Sequence, residues 1–220
     1  MNFEYNLLQQ HKLNRTNKDG KRVYINENGD EFVSVTTALN YLSKNGIARW
    51  RQNIGYERAN KISSQAARAG TALHNVAEQY VLKNVNWNKL DPISIDKFLK
   101  IKPYIDNNIN IIYGIELQMY SNEIKAAGTT DLICNYNNKK TILDFKTSRR
   151  IKTKDKIVGY WIQAAAYAIM AKELYNMDIE QLVILMTVND GVGIEFIEPA
   201  NKWIQIAKQY FKHYHAGKLV

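Results

Sequence analysis

The 220-residue chain is 45% hydrophobic and 23% charged, which is enough apolar material for one domain with a sizeable core. Its 30 basic and 21 acidic side chains give a net charge of +9, which suits a polyanion such as nucleic acid, although a generally lysine- and asparagine-rich composition would give the same excess. A single cysteine, Cys134, excludes an internal disulfide framework and a four-cysteine iron–sulfur cluster. The sequence has no long apolar run and no signal-peptide pattern, which predicts a cytoplasmic protein with no membrane partner.

The first 55 residues predict a small extension before the main part of the chain. Residues 21–25 and 31–35 are β-prone and flank an Asn-Gly pair, which is a strong hairpin signal. A helix is predicted to begin directly after them, with Ser34 or Thr36 as its N-cap. This segment is therefore interpreted as scaffold.

Trp50 lies between Arg49 and Arg51 near the end of that extension. A ring between cations can stack on a base of single-stranded nucleic acid while the cations bind its phosphates. A core tryptophan between two solvated arginines would have the same sequence. Trp50 is thus a candidate substrate-binding residue, with a purely structural role as the alternative.

Residues 56–83 predict a long helix, because apolar side chains recur there at helical spacing. The apolar stripe consists of Ala66, Ala69, Leu73, Val76, Ala77 and Tyr80. His74 falls beside the stripe, and Gly70, one turn earlier, would allow a strand to approach closely. A histidine in this position is either a buried core residue or a ligand for a metal ion.

A β-hairpin is predicted over residues 129–146. Two β-prone runs flank Asn137-Asn138, a pair that tolerates the positive φ of a tight turn. With these two residues in the turn, Asp131 lies directly opposite Asp144. Lys146 points to the same face, because side chains alternate along a strand.

Two facing carboxylates repel each other, so the pair requires a shared proton or a cation such as a divalent metal ion. The surrounding residues are apolar on both faces of the hairpin, which predicts that helices cover both faces. The alternative is an exposed hairpin whose acids and lysine form surface ion pairs. The apolar run around Asp144, Ile-Leu-Asp-Phe-Lys, favours burial.

Glu116 is a third candidate carboxylate. It lies in a β-prone run, residues 109–120, which follows a helix predicted over residues 93–107. If this run pairs with the next strand through a loop at residues 122–125, Glu116 lies opposite Asp131. A register shift of one or two residues would leave it on the surface.

The chain after the hairpin begins with a basic loop, residues 149–156. Arg149 and Arg150 follow the acidic strand there, where they could bind phosphates or simply be solvated. The predicted helix, two strands and closing helix that come next span residues 160–175, 179–188, 192–197 and 199–214. Gln163 and Tyr167 lie on one face of the first of these helices. The whole pattern predicts an α/β fold.

The spacing from Asp131 to the motif Asp144-Phe145-Lys146-Thr147-Ser148 resembles the PD-(D/E)XK nuclease superfamily in its RecB-like branch. Within that branch the chain is most similar to the mitochondrial genome maintenance exonucleases and related phage exonucleases. The Gly-Thr-x-Asp sequence ending at Asp131, the helix with His74 and the Gln163-x-x-x-Tyr167 pair match further motifs of these families. The resemblance implies a restriction-endonuclease-like core, with a mixed sheet in α-β-β-β-α-β order flanked by helices, and an N-terminal hairpin and helices as additions.

A single nuclease domain is implied over residues 1–220, with the catalytic core in residues 56–220. The ligands of a Mg²⁺ or Mn²⁺ ion would be Asp131, Asp144, His74 and the carbonyl oxygen of Phe145. Lys146 would orient the attacking water, and Glu116 would join the catalytic residues. The substrate-binding candidates are Gln163, Tyr167, Thr147, Ser148, Arg149, Arg150 and Trp50.

The predicted function is that of a divalent-metal-dependent DNA exonuclease that hydrolyses phosphodiester bonds at single-stranded ends, in DNA replication, recombination or repair. Two alternatives stay open. One is a structure-selective endonuclease, or a nuclease that resects duplex ends, on the same core. The other is a nucleic-acid-binding module without catalysis.

Overall fold

Nine strands form one mixed sheet with helices on both faces in residues 3–189 and 191–218, which the computed structural model describes. The strands are β1 (Glu4–Tyr5), β2 (Asn14–Lys18), β3 (Lys21–Ile25), β4 (Glu31–Ser34), β5 (Ile109–Ser121), β6 (Ala126–Tyr136), β7 (Lys139–Ser148), β8 (Gln181–Val188) and β9 (Gly193–Pro199). The α-helices are α1 (Val35–Ile54), α2 (Tyr56–Val81), α3 (Pro92–Asn108), α4 (Val158–Tyr175) and α5 (Ala200–His215).

The central hairpin of β6 and β7 has the predicted turn and register. Asn137 and Asn138 both have positive φ, 51° and 61°, as a two-residue hairpin turn requires. The paired residues run from Tyr136 opposite Lys139 to Leu132 opposite Leu143. The strands therefore approach Asp131 and Asp144 in the register that brings the two acids together.

Both faces of this hairpin are buried, as predicted. Ile133 and Ile142 belong to a core cluster that includes residues of α1, α4 and α5. Leu132 and Leu143 belong to a second cluster, with residues of α2 and α3, on the other face. The exposed-hairpin alternative is therefore wrong.

The sheet divides at β6. Along one edge, β6 pairs with β5 from Ala126 to Tyr136. Along its other edge, β4 pairs in parallel with residues 126–127, and β7 pairs with residues 132–136. Residues 128–131 lie between these two partners, and this gap in the sheet, here called the fork, is where Asp131 is placed.

The N-terminal strands extend the same sheet, because β4 joins β6. Val23 pairs with Val33 in the predicted β3–β4 hairpin, and Gly29 has the positive φ, 86°, that its turn requires. No sequence pattern predicts β2, which pairs with β3 and has an exposed side chain at every position. A polar, fully exposed strand has no alternating pattern that would reveal it.

The order of α2, β5, β6, β7, α4 and β8 confirms the predicted α/β class, with β8 parallel to β7 and β9 antiparallel to β8. The bounds of the predicted helices agree to within a few residues, and α3 begins where Asp91 caps it by accepting hydrogen bonds from the Ile93 and Ser94 amides. The turn predicted around Asp190 lies partly outside the described residues. In the part of the chain described, none of the helices has the length and apolar character needed to cross a membrane.

Candidate active site

Two buried carboxylates, Asp131 on β6 and Asp144 on β7, lie at the fork with 8% and 2% of their surfaces exposed. Oδ2 of Asp131 accepts a hydrogen bond from the Phe145 backbone N–H at 2.7 Å. Oδ1 of Asp144 accepts one from Nε2 of Gln163 at 3.1 Å, and Oδ2 forms an ion pair with Lys146. Each acid is thus fixed in place by contacts with neighbouring residues.

His74 reaches the acids from α2, on the side of the sheet opposite α4. Its Nδ1 lies 3.3 Å from Oδ1 of Asp131, and its Nε2 lies 2.8 Å from the carbonyl oxygen of Phe145. A carbonyl can only accept, so Nε2 donates to Phe145. This hydrogen bond fixes the orientation of the imidazole ring and directs Nδ1 toward the carboxylates. Metal-ligating histidines are commonly oriented in this way, by a hydrogen bond from the ring nitrogen that does not bind the metal.

The charges of the cluster balance each other. Burial alone would lower the pKa of His74, but the hydrogen bond and charge of Asp131 outweigh it and raise that pKa to about 9. Burial opposes ionisation of Asp131, yet contacts with His74 and the charge of Lys146 hold its pKa below the ordinary value. Burial, and repulsion from Asp131, raise the pKa of Asp144 to about 6 although Lys146 opposes this rise. Without metal, the cations that the facing acids require are therefore His74 and Lys146.

Glu116 joins the cluster from β5, in the predicted register. The pairs on either side of it are Leu117 with Thr130 and Ile115 with Leu132. Glu116 itself has a φ of +45°, a strained conformation for a residue with a side chain, which sites of function often retain. Burial and the charge of Asp131 raise its pKa to about 7.

A divalent metal ion fits these residues. His74, Glu116 and Asp131 each offer a ligand atom, and the three atoms lie within 4.8 Å of one another. Two carboxylates and one imidazole form a donor set that Mn²⁺ accepts, and oxygen-rich sites suit Mg²⁺ as well. Asp144 lies beside this set and is held by Gln163 and Lys146, whereas the Phe145 carbonyl is occupied by His74.

Asp131 and Glu116 line a cleft of about 1200 Å³. One wall is α2, which contributes His74 and Arg68, and another is the β2–β3 hairpin, which contributes Arg15 and Arg22. Gln163 and Tyr167 of α4 line the same cleft, as the resemblance led us to expect. None of the three arginines is among the predicted site residues, since two come from the extension interpreted as scaffold.

Other predicted residues lie elsewhere. Thr147, Ser148 and Arg149 line a second, smaller cleft with Lys97, and α2 separates it from the acids. Arg150 is exposed, and its carbonyl accepts a hydrogen bond from Ser148 Oγ at 2.6 Å.

Trp50 and Gly70 also differ from expectation. Thr36, at the start of α1, lines the cleft. Trp50 lies 14 positions further along α1, which places it about 21 Å from Thr36 along the helix axis at a rise of 1.5 Å per residue. A Cβ added to Gly70 would contact only Thr147 Oγ1, at 4.0 Å, among the residues that the structure describes. The glycine is therefore not required for a close strand approach; it widens the cleft at that turn.

Comparisons with known proteins give fold similarity alone. No protein-family model matches the chain, and no curated protein matches it. The crystal structure of a candidate exonuclease from Eubacterium rectale is 13% identical, with 68% of each chain covered and a TM-score of 0.45. The crystal structure of SSO0001 is 15% identical, with 84% of this chain and 75% of that chain covered and a TM-score of 0.42. Similarity at this level assigns neither a family nor an activity to this chain.

Proposed function

We propose that this protein is a divalent-metal-dependent nuclease of the PD-(D/E)XK type, in the RecB-like branch, that hydrolyses phosphodiester bonds of DNA at single-stranded ends. The observation that carries the proposal is the cluster of two buried acids, Asp131 and Asp144, with the half-buried Lys146 and His74, beside a cleft that three arginines line. Buried charges at the mouth of a cleft are costly for stability and are typical of catalytic sites.

The metal would be held by Asp131, Glu116 and His74, with Asp144 completing the site. When bound, Mg²⁺ or Mn²⁺ supplies Lewis acidity and lowers the pKa of a coordinated water. Other residues of the protein hold the side chains of the metal site in position. Gln163 fixes the carboxylate of Asp144, and the Phe145 carbonyl fixes the ring of His74.

Lys146 is suited to act on the reacting groups. Burial would lower its pKa, but the charges of Asp144 and Asp131 raise it, so the ammonium stays protonated. Its side chain is 17% exposed and lines the cleft, where it can donate hydrogen bonds to the attacking water or to the phosphate. The role assigned to it is therefore orientation of the nucleophile and stabilisation of negative charge.

The cleft supports a nucleic-acid substrate because it combines these acids with arginines on two of its walls. Digestion of labelled DNA tests the proposal. We expect a linear single strand, labelled at its 5′ or 3′ end, to be shortened in Mg²⁺ or Mn²⁺ and to remain intact in EDTA. A covalently closed circular single strand should resist, since it has no end.

The controls separate the alternatives. Cleavage of the circle would favour an endonuclease, and faster digestion of a blunt duplex would favour a duplex end-resecting enzyme. Binding without any metal-dependent cleavage would favour a nucleic-acid-binding module. Asp144→Asn is the inactive reference, and Glu27→Gln, in the exposed β3–β4 turn, is the matched variant that should stay active.

A further inference from the structure

Three arginines from three separate elements line the cleft that contains Asp131 and Glu116. Arg15 lies on β2, Arg22 on β3 and Arg68 on α2. All three are exposed, and none belongs to an ion pair among the residues that the structure describes. Glu78, Glu116 and Asp131 line the same cleft, but none of them forms an ion pair with an arginine in the described part of the chain, so the arrangement contributes nothing obvious to stability.

The hairpin arginines are held in place by a buried anchor. Arg15 pairs across the β2–β3 hairpin with Tyr24, and Arg22 lies two positions before Tyr24 on the same face. Tyr24 is 5% exposed and packs in a core cluster with Leu13 and Phe32. The pairing of β4 with β6 then fixes this hairpin at the rim of the fork.

Arg68 lies on the other wall, close to the metal-binding residues. It precedes His74 by six positions on α2, about 9 Å along the helix axis. The arginines therefore stand on two sides of the space into which Asp131, Glu116 and Lys146 open. An extended anion that reaches the acids would pass between them.

We infer that Arg15, Arg22 and Arg68 form a subsite that binds the phosphates of a single nucleic-acid strand on one side of the bond to be cleaved. The inference rests on the proposed function. Guanidinium groups suit it because they bind phosphate oxygens in pairs and stay charged. The N-terminal strands, outside the predicted catalytic core, would thus supply two of the three phosphate-binding arginines, while the core supplies Arg68 and the catalytic residues.

The test compares two triple variants that remove the same charge. Arg15→Gln/Arg22→Gln/Arg68→Gln removes the subsite. Lys139→Gln/Lys140→Gln/Lys212→Gln removes three exposed lysines outside the cleft, two of them at the far end of β7. Anisotropy titrations use an unstructured DNA oligonucleotide in Ca²⁺, in an Asp144→Asn background that prevents cleavage, over a salt series.

We expect the arginine variant to raise Kd by about tenfold or more relative to the lysine variant. The slope of log K against log salt should become shallower by about 2, since each lost contact to a single strand accounts for about 0.7. Replacing the same residues by lysine should restore most of the slope, because the charges return. In the active protein, KM should rise while kcat at saturation stays within about threefold, because the arginines do not touch the reacting atoms.

Two outcomes would overturn the arginine subsite. Equal Kd and equal salt slopes in the two triple variants, in a protein that does cleave DNA, would overturn the subsite and leave the proposed function intact. A parent protein that neither binds nor cleaves the oligonucleotide would overturn both. Thermal unfolding of each variant in EDTA identifies loss of folding, and the single substitution Arg22→Gln, at an exposed position, then serves as the milder test.

Discussion

Gly128 on β6 and Tyr167 on α4 fit against each other without room for another atom. A Cβ on Gly128 would lie 2.8 Å from the hydroxyl oxygen of Tyr167 and 3.1 Å from its Cε1. Tyr167 is 2% exposed, so it cannot simply swing aside. Two separate motifs of the sequence, Gly-Thr-x-Asp and Gln-x-x-x-Tyr, are therefore in direct contact beside the acids.

This contact predicts that Gly128→Ala destabilises the protein by about 1–3 kcal/mol, the usual cost of overpacking a core. Tyr167→Phe removes the nearest atom, so the double variant should recover part of that loss, with a coupling energy of about 0.5–3 kcal/mol. Chemical denaturation in EDTA measures both. Gly46→Ala is the matched control, because a Cβ meets no neighbour within 4 Å there and alanine favours the helix. Additive losses would show that the two residues do not constrain each other.

Lys146→Ala should separate chemistry from metal binding. Loss of the ammonium removes a cation that competes with the metal, so Mn²⁺ affinity should stay equal or rise, while single-turnover cleavage should fall by about 10²–10⁴-fold. Without metal, the variant should also lose stability, since the buried carboxyl group of Asp144 loses the cation that offsets its charge. Calorimetry and rapid-quench kinetics test this, with Lys139→Ala on the same hairpin as the control. A parallel loss of metal affinity and rate would assign Lys146 a structural role instead.

The raised pKa of Glu116 determines how the stability of the metal-free protein should depend on pH. Its folded pKa, about 7, lies above the ordinary 4.5, so the folded state binds its proton more tightly and the associated stability is lost as pH rises through 7. His74 acts in the same direction, with stability that is present below pH 6.5 and lost as pH rises through about 9. In EDTA, Tm should therefore fall between pH 5 and pH 9.

Glu116→Gln should raise the metal-free Tm at pH 8 relative to wild type. The gain is on the order of 1–2 kcal/mol, reduced from the full pKa effect because the side chain is partly exposed, and corresponds to roughly 2–8 °C. The same variant should show a smaller Mn²⁺-induced rise in Tm. Glu27→Gln is the exposed control. A variant that is less stable than wild type at pH 8 would mean that Glu116 is not under repulsion from Asp131.

Much of the site follows from local chemistry. Asn137-Asn138 fixes a two-residue turn, the turn fixes the register, and the register brings Asp131 to Asp144. Glu116 follows in the same way from the loop before β6. Where a short loop joins two paired strands, counting residues from the loop identifies which positions lie opposite each other.

The remaining features depend on contacts between distant segments. The β4–β6 pairing, which opens the fork, joins residues 33–34 to residues 126–127 and leaves no local pattern. Arg15 and Arg22 depend on that pairing, because it places the β2–β3 hairpin beside Asp131. The path of α2 over the sheet places Thr147, Ser148 and Arg149 in a different cleft. The spacing of the motif does not encode that path.

The most direct test of the central claim measures metal binding and cleavage together in Asp131→Asn and Asp144→Asn. Each substitution keeps the shape of the side chain and removes one carboxylate charge. In wild type, Mg²⁺ or Mn²⁺ should raise Tm and permit digestion of an end-labelled single strand. In both variants the rise in Tm should become small or vanish, and digestion should be lost. Undiminished digestion by either variant would contradict it.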